Sequence, residues 1–460
     1  MISHLRSRGR HSLPARKFTP FNRAWDVNNI VAGLLFVDAI ALLINGMRLV
    51  YFNTPVQEFI SAKSHDKPAI RFQGITYGEP FGVHWFGDFL QPLDWAHLAN
   101  PWTADPSYLV QYPPLPIYAL SPLGLLPYPW ALTLYLSGMA LSSFVAVLVL
   151  TGGLRLSTRI LLGLTLGIVA TPFLMAFDRG NLVGYFGFLF AIFMYAIARN
   201  HKKLAIVALV CLVCLKIYPI LLLLVFIQKR WFRPAIVVVV SSLVLTLSLF
   251  WLTPGNFLFT LHEFFRANFG AANLQDKYMV LDYKNFVVAV TQLPPVSAKR
   301  WAKAILLGIN GLRYLVLFGI ALTVVLRLKR LHTLEVILLS GFAMMLIYGA
   351  QIGYNWTWAP AFAVAAITAI VSTRGETFSP WQILKCYPVL VAAIIGFTLM
   401  SLPLALHLPG STRSLTPYIG LATAAVCVVL LLVKRTRTEI SADWLRAVKA
   451  GPQTVQAARE

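Results

Sequence analysis

Long apolar runs separated by short polar connections make up most of this chain, and this alternation excludes a soluble fold. About 20 consecutive apolar residues cross the hydrocarbon core of a bilayer as a helix. Such runs lie at about 27–51, 129–153, 160–177, 180–199, 204–228, 234–253, 302–326, 333–352, 356–372, 385–405 and 416–433. The 460 residues are 58% hydrophobic and only 12% charged, whereas about a quarter of the residues in a soluble domain are charged. The sequence therefore predicts an all-α polytopic membrane protein.

The positive charges of the chain orient these runs. The net charge is +22, and the lysines and arginines cluster between apolar runs, as the positive-inside rule describes. No nucleic-acid-binding motif accompanies them, which argues against a nucleic acid as a partner. We expect residues 1–26 to form a basic cytoplasmic N-terminus, residues 27–433 a single transmembrane domain and residues 434–460 a polar cytoplasmic tail. The first apolar run is too long for a signal peptide.

One run conflicts with this orientation unless its helix is broken. If residues 204–228 crossed the membrane once, the basic stretch 229–233 would lie outside. Pro219 lacks a backbone N–H and favours a break into two half-helices at this point. Every basic cluster then faces the cytoplasm, and the chain has about 12 helical segments. Residues 53–128 and 254–301 become two long loops on the outer side.

The first outer loop mixes acidic and aromatic residues. Examples are His84, Trp85, Asp88, Asp94 and Tyr112. Sugars offer apolar C–H faces to aromatic rings and hydroxyls to carboxylates, and a carboxylate can also act as a general base on a hydroxyl. The pattern suits a carbohydrate site, although a solvated loop with aromatic residues at the membrane interface has the same composition.

Two ordered sets of residues between about 80 and 235 resemble one bacterial family. The first set is Gly87-Asp88-Phe89, Tyr112-Pro113-Pro114, Pro122 and Leu125-Leu126-Pro127. The second set is Arg179-Gly180-Asn181, Lys216-Ile217-Tyr218-Pro219 and Lys229-Arg230-Trp231. Their order and spacing are similar to those of the integral-membrane mannosyltransferases that use polyprenol-phosphate-mannose, within the GT-C superfamily. The resemblance implies a GT-C-like helical bundle in the bacterial cytoplasmic (inner) membrane, with its active site facing the periplasm or exterior.

The same resemblance places a catalytic carboxylate in the first outer loop. Asp88 falls at the family's acidic position, where it would deprotonate the acceptor hydroxyl in an inverting displacement. Glu79 and Asp94 are the alternatives for this base. The residues expected to bind the acceptor or its sugar are Glu79, Asp94, His84, Trp85 and Tyr112. One base is enough for inversion, whereas a retaining or hydrolytic enzyme needs a matched pair of carboxylates.

Basic residues are expected to hold the phosphate of a lipid-linked donor. The candidates are Arg179, Lys216, His262, Arg266 and Lys277. Lys216 lies inside an apolar run, where a charge usually faces a protein cavity and has a partner; a lysine that snorkels to the interface is the alternative. Arg179 has its neighbour Asp178 as an alternative partner, and His262 has the alternative of an ordinary loop histidine.

The later part of the chain departs from the family pattern. Where members carry an Asn-Ser pair and a Trp-His motif, this chain has Lys284-Asn285-Phe286 and Tyr354-Asn355-Trp356-Thr357-Trp358. Transfer of arabinose from polyprenol-phosphate-arabinose therefore stays open beside transfer of mannose. A secondary transporter or lipid flippase also stays open, and paired broken helices in corresponding halves would be typical of it. The expected partners are a polyprenyl-phosphate-sugar donor, a glycolipid or lipoglycan acceptor and the lipid bilayer, with no metal and no other cofactor.

Overall fold

The fold is a helical bundle, seen in a computed structural model of the chain. The structure describes residues 25–26, 33, 36, 40, 89, 92–93, 98–103, 112–152, 154–267, 295–347, 353–374, 377–378, 380–401 and 416–434. Within these ranges the chain is helical apart from one short antiparallel ladder. Its strands are β1 (Trp25–Asp26) and β2 (Thr377–Phe378). The ladder places the residues after one late helix beside the predicted cytoplasmic N-terminus.

Most helices follow the predicted apolar runs, whereas α1 (Pro114–Leu120) and α9 (Phe257–Phe265) lie in the two predicted outer loops. The helices up to residue 228 are α1 (Pro114–Leu120), α2 (Tyr128–Leu150), α3 (Leu156–Leu162), α4 (Thr171–Arg179), α5 (Phe186–Ala198), α6 (Lys202–Leu215) and α7 (Leu223–Gln228). Tighter or wider helical turns adjoin four of them, at Ser121–Leu125, Gly163–Ile168, Leu182–Tyr185 and Tyr218–Leu222. Later helices are α8 (Phe232–Leu252), α9 (Phe257–Phe265), α10 (Pro295–Arg327), α11 (Thr333–Ile347), α12 (Trp358–Arg374), α13 (Pro380–Cys386), α14 (Pro388–Ser401) and α15 (Thr416–Val433), with a turn at Gly353–Trp356.

Helix length and composition identify a polytopic membrane protein. In the part of the chain that the structure describes, α2, α8 and the stretch Leu307–Arg327 of α10 are long and apolar enough to cross a membrane. Seven further apolar helical segments of the described part, counted together with their adjoining turns, have 10–17 residues, which is short for the roughly 20 residues of a perpendicular span. The number of crossings, about 12 from the hydrophobic pattern, stays a prediction.

The predicted break near Pro219 is confirmed. Lys216 leaves the helix with an extended backbone (φ −152°, ψ 138°), and a new helical turn begins at Tyr218 with Pro219 in its first two positions. α6 has 14 residues, so it rises by about 21 Å. The side chain of Lys229, just after α7, donates to Asn200 Oδ1 (3.1 Å) just before α6. α6 and α7 therefore form a helical hairpin with Lys216 at its tip. Because the charge pattern predicts that both of its ends face the cytoplasm, we call it the re-entrant hairpin.

A second interruption corrects the prediction of one continuous helix over residues 160–177. Ala170 is extended (φ −57°, ψ 128°) and separates the π-helical end of α3 from α4. Pro172 lies in the first turn of α4, where a missing N–H costs nothing. In the interior of one continuous helix the same proline would remove a hydrogen bond, so this run forms two helices.

Contacts between distant segments occur at two ends of the bundle. At the basic end, the contact between Lys229 and Asn200 joins two lysine- and arginine-rich connections. At the outer end, Asn100 Nδ2 donates to Thr260 Oγ1 (2.7 Å), which joins the first and second outer loops. Each contact pairs connections that the charge pattern assigns to the same side of the membrane.

Aromatic side chains from four helices fill the centre of the bundle. Trp358 of α12 lies 5.2 Å from Phe397 of α14, 5.6 Å from Phe190 of α5 and 6.1 Å from Phe342 of α11, measured between ring centroids. A Cβ at Gly341 would overlap the ring of Trp358. A small residue at this position lets α11 and α12 approach closely, as is typical of helix contacts in membranes.

A buried ion pair at the basic end ties three helices together. Lys434 Nζ lies 2.5 Å from Glu335 Oε1, and the two side chains are 12% and 1% exposed. Glu335 Oε2 also accepts from the backbone N–H of His332 (2.8 Å), at the start of α11. Arg327, the last residue of α10, donates to the backbone carbonyls of Leu431 and Lys434. The ends of α10 and α15 are thereby held to the beginning of α11.

Lys434→Met should lower the free energy of unfolding by roughly 3 kcal/mol, because it removes the ammonium partner of a buried carboxylate. The double variant Glu335→Gln/Lys434→Met should recover part of this loss, since no buried charge is then left. Unfolding of the purified protein in detergent measures both effects, with Lys329→Met, an exposed lysine at the same end, as the control. Equal stability of the variants at 434 and 329 would contradict a stabilising pair.

Candidate functional site

The tip of the re-entrant hairpin carries a lysine over an aromatic ring. Lys216 Nζ lies 4.1 Å from the centroid of the Tyr112 ring, within the range of a cation–π interaction. Lys216 is half-buried, and its neighbour Ile217 is 57% exposed. The break in the helix thus places a positive charge at the outer end, beside a residue of the first outer loop.

Asn181 connects this pair to the end of α4. The Tyr112 hydroxyl donates to Asn181 Oδ1 (3.4 Å), and the same oxygen accepts the backbone N–H of Val183 (2.9 Å). Tyr112 and Asn181 are both buried. Gly180 ends α4 in the left-handed conformation (φ 63°), which glycine adopts without a steric cost. The turn after α4 therefore holds the Asn181 amide in a defined place under Tyr112.

Phe89 anchors the chain next to Asp88. Its fully buried ring stacks on Tyr135 of α2 at a centroid distance of 4.5 Å. The Tyr135 hydroxyl donates to the carbonyl oxygen of Gly180 (3.0 Å). The residue that follows Asp88 is therefore packed beside the turn that holds Asn181.

Four separate stretches of the sequence meet through these contacts. We refer to Phe89, Tyr112, Asn181 and Lys216 as the outer-end cluster. Trp102 supports it, since its indole N–H donates to the carbonyl oxygen of Tyr112 (3.3 Å). The cluster combines one cation with aromatic rings and a fixed amide, which suits it to an anionic group attached to an apolar or sugar moiety.

Several predicted site residues lie outside the described part of the chain. These are Glu79, His84, Trp85, Asp88, Asp94 and Lys277. Arg179 is the last residue of α4, directly before Gly180, and the structure describes its backbone but not its side chain. The roles assigned to these residues stay predictions.

Two other predicted phosphate ligands contact the same carboxylate; His262 lies on α9 and Arg266 directly follows this helix. Arg266 lies 2.5 Å and His262 3.1 Å from Glu263 oxygens, and the Glu263 side chain is only 12% exposed. A phosphate at Arg266 would have to compete with Glu263 for its guanidinium. The contact between Asn100 and Thr260 attaches α9 to the first outer loop, so α9 adjoins the outer end.

Among the described residues, potential metal ligands are not clustered. Across the described ranges, no three His, Cys, Asp or Glu residues are grouped so that they could hold a metal ion. Because much of the first outer loop lies outside these ranges, the expectation that neither a metal nor another cofactor is needed stays a prediction.

The segment 355–358 adjoins the outer-end cluster, which the sequence analysis did not predict. The Thr357 hydroxyl donates to the carbonyl oxygen of Val183 (2.9 Å), two residues from Asn181. A Cβ at Gly187 would lie 2.9 Å from the carbonyl oxygen of Thr357. The sequence offered one signal for a role of this segment: it stands where members of the resembling family carry a Trp-His motif.

Gly187→Ala should therefore lower thermal stability, since the added methyl group meets a backbone atom that cannot rotate away. Gly308→Ala is the matched control, because a Cβ at Gly308 meets nothing within 4 Å and alanine favours a helix. Thermal unfolding of both variants in detergent measures the difference. If the variant at 187 is as stable as the one at 308, segment 355–358 does not press against the start of α5.

Comparison with known proteins identifies the family of the chain. No curated protein and no solved structure matches the chain. A family model described as glycosyltransferase family 87 matches residues 110–349, just over half of the chain. The match includes Tyr112, Asn181 and Lys216 of the outer-end cluster, whereas Asp88 lies before it. The chain belongs to glycosyltransferase family 87 and is a membrane glycosyltransferase of the GT-C type.

Proposed function

We propose that the protein transfers a sugar, most simply mannose, from a polyprenyl phosphate to a glycolipid or lipoglycan acceptor. The transfer takes place at the outer face of a bacterial cytoplasmic membrane, with the basic end in the cytoplasm. The observation that carries this proposal is the position of Lys216. A cation at the tip of a hairpin about 21 Å above the basic end lies within reach of a phosphate whose lipid tail remains in the bilayer.

The proposed reaction is an inverting displacement. An acceptor hydroxyl oxygen forms a bond to the anomeric carbon of the donor, and its proton passes to the carboxylate of Asp88. The bond from the anomeric carbon to the phosphate oxygen breaks, and the electron pair leaves with the polyprenyl phosphate. Lys216, with Arg179 at the adjoining turn, neutralises the negative charge that develops on that phosphate.

Asp88 remains the first choice for the base because of its neighbour. Phe89 is packed on Tyr135, whose hydroxyl binds the turn between Arg179 and Asn181. Phe89 is therefore close in space to the turn that carries Arg179, and Asp88 directly precedes Phe89 in the sequence. Glu79 and Asp94 remain the alternatives.

The other candidate functions fit the observations less well. The second helix interruption, at Ala170, is similar to the discontinuous helices of secondary transporters. Among the described residues, the breaks at Ala170 and Lys216 both lie in the first half of the chain, whereas transporter repeats place paired breaks in corresponding halves. Arabinose as the donor sugar remains the nearest alternative. Segment 354–358 differs from the mannosyltransferase motif and adjoins the outer-end cluster through Thr357.

Asp88→Asn should lower sugar transfer by about 100-fold or more, the range expected for loss of a general base. Purified protein would be given polyprenol-phosphate-mannose or polyprenol-phosphate-arabinose with a panel of glycolipid acceptors. Donor binding should survive in this variant, because the carboxylate acts on the acceptor. Asp94→Asn and Glu79→Gln are the matched variants. If Asp88→Asn keeps full activity and one of these two variants loses it, the general base is Asp94 or Glu79 instead. If the wild type consumes neither donor, the proposed donor class is refuted.

Substitution of Tyr112 or Lys216 should change the KM for the donor rather than the KM for the acceptor, because Tyr112 contacts the proposed phosphate ligand Lys216. Lys216→Gln should raise the KM for the donor by roughly 10- to 100-fold, because a hydrogen bond to a charged group is lost. Tyr112→Leu should raise it by roughly 3- to 30-fold through loss of the cation–π contact. Tyr112→Phe keeps the ring and should stay close to the wild type.

Tyr118→Leu serves as the control for loss of a tyrosine at the outer end, since its hydroxyl contacts Thr253 (2.9 Å) away from Lys216. Donor and acceptor KM values would be measured for each variant at matched thermal stability. An equal effect of Tyr112→Phe and Tyr112→Leu would contradict a role of the ring in holding Lys216.

A further inference from the structure

Two turns at the basic end come together to form one cationic surface. The first turn, Arg199–His201, joins α5 to α6, and the second, Lys229–Trp231, joins α7 to α8. They are in direct contact, since Lys229 Nζ donates to Asn200 Oδ1 (3.1 Å). The two ends of the re-entrant hairpin therefore meet at the membrane side opposite its tip.

In both turns a residue other than glycine adopts the left-handed backbone conformation. Asn200 (φ 55°) and Arg230 (φ 57°) are left-handed although neither is a glycine. His201 N–H donates to the carbonyl oxygen of Ala196 (2.9 Å), and Trp231 N–H donates to that of Phe226 (2.8 Å), as in helix ends that normally favour glycine. The exposed Arg230 thus occupies a position where glycine would be less strained.

The two turns and their flanks are rich in cations and contain no carboxylate. We refer to the cationic side chains of Arg199, Lys202, Lys203, Lys229, Arg230 and Arg233 as the twin-turn cluster. The sequence has no acidic residue between Asp178 and Glu263. An anion that neutralises this surface must therefore come from another part of the chain or from outside it.

The Trp231 indole adjoins two cations of the twin-turn cluster. Lys202 Nζ is 5.4 Å and Lys229 Nζ is 5.2 Å from the centroid of the Trp231 ring. Two like charges held beside one half-buried ring repel each other, and an anion between them would relieve that repulsion. Tryptophan is also the residue typical of the headgroup level of a membrane.

We propose that the twin-turn cluster binds the phosphate headgroup of an anionic phospholipid in the leaflet that surrounds the basic end. Apolar side chains next to the cations support a lipid rather than an acidic protein segment. Leu204, Val207, Phe232 and Ile236 are 39–62% exposed and belong to α6 and α8, which lead away from the cluster into the bundle. A phospholipid supplies both an anion for the turns and acyl chains for this surface.

The proposal predicts a lipid preference that depends on this cluster. The wild type should retain phosphatidylglycerol when transferred from mixed phosphatidylcholine and phosphatidylglycerol nanodiscs into native mass spectrometry. Lys202→Gln/Lys229→Gln should lower the affinity for a short-chain phosphatidylglycerol by about 30-fold, since each juxtamembrane cation contributes roughly five-fold. Trp231→Leu should lower it by a smaller factor, through loss of the ring that holds both lysines.

Lys329→Gln/Arg330→Gln is the matched control, because it removes two exposed charges from another turn at the same end. This control should bind phosphatidylglycerol as the wild type does. Equal losses in the two double variants would mean a diffuse electrostatic attraction and would overturn a specific site, as would unchanged binding in both. Binding of a soluble acidic peptide without a preference for phosphatidylglycerol would assign the surface to a protein partner instead.

Discussion

Backbone hydrogen bonding limits where a helix can be interrupted inside a membrane, and the proposed site depends on one such interruption. Lipid offers no partner to an unpaired N–H or C=O group. At the hairpin tip, the N–H of Lys216 still donates to the carbonyl oxygen of Leu212 (3.0 Å), and the N–H of Ile220 donates to that of Ile217 (3.2 Å). The buried side chain of Tyr218 packs beside this turn. The chain can therefore present the ammonium of Lys216 at the hairpin tip while these backbone groups remain paired.

The re-entrant hairpin contributes to both proposed binding surfaces. Its tip carries Lys216 into the outer-end cluster, and its base carries the twin-turn cluster around Trp231. At both ends a lysine ammonium lies over an aromatic ring, and the ring helps to stabilise the positive charge. A single supersecondary element would thus bind a donor phosphate at one side of the bundle and a phospholipid headgroup at the other. The contacts of Asn181 and Thr357 connect the tip to the rest of the bundle.

Much of the architecture was predictable from hydrophobicity and charge. The apolar run at 416–433 coincides with α15, and the break at Pro219 followed from the distribution of lysine and arginine. The beginning of α10 at Pro295 was not predictable in this way, because its first turns are polar and a hydrophobic run cannot mark a helix that continues beyond the apolar region. The interruption at Ala170 was also missed, because no charge conflict required it. For the site, residue order suggested Asp88, Tyr112 and Lys216, but no periodicity could show that Thr357 contacts the turn that follows Asn181.

The sequence by itself determined that this is a membrane protein, because apolar runs of this length are stable in lipid and not in water. The basic connections between the runs predict their orientation. The sequence also determined where one helix had to break, since a proline and a charge conflict coincide at the same place. Only the tertiary structure decided which residues meet. The contacts of Lys216 with Tyr112, Phe89 with Tyr135, and Lys434 with Glu335 join segments far apart in the chain. Side-chain packing between helices sets such contacts, and the hydrophobic pattern of one helix does not specify its neighbour.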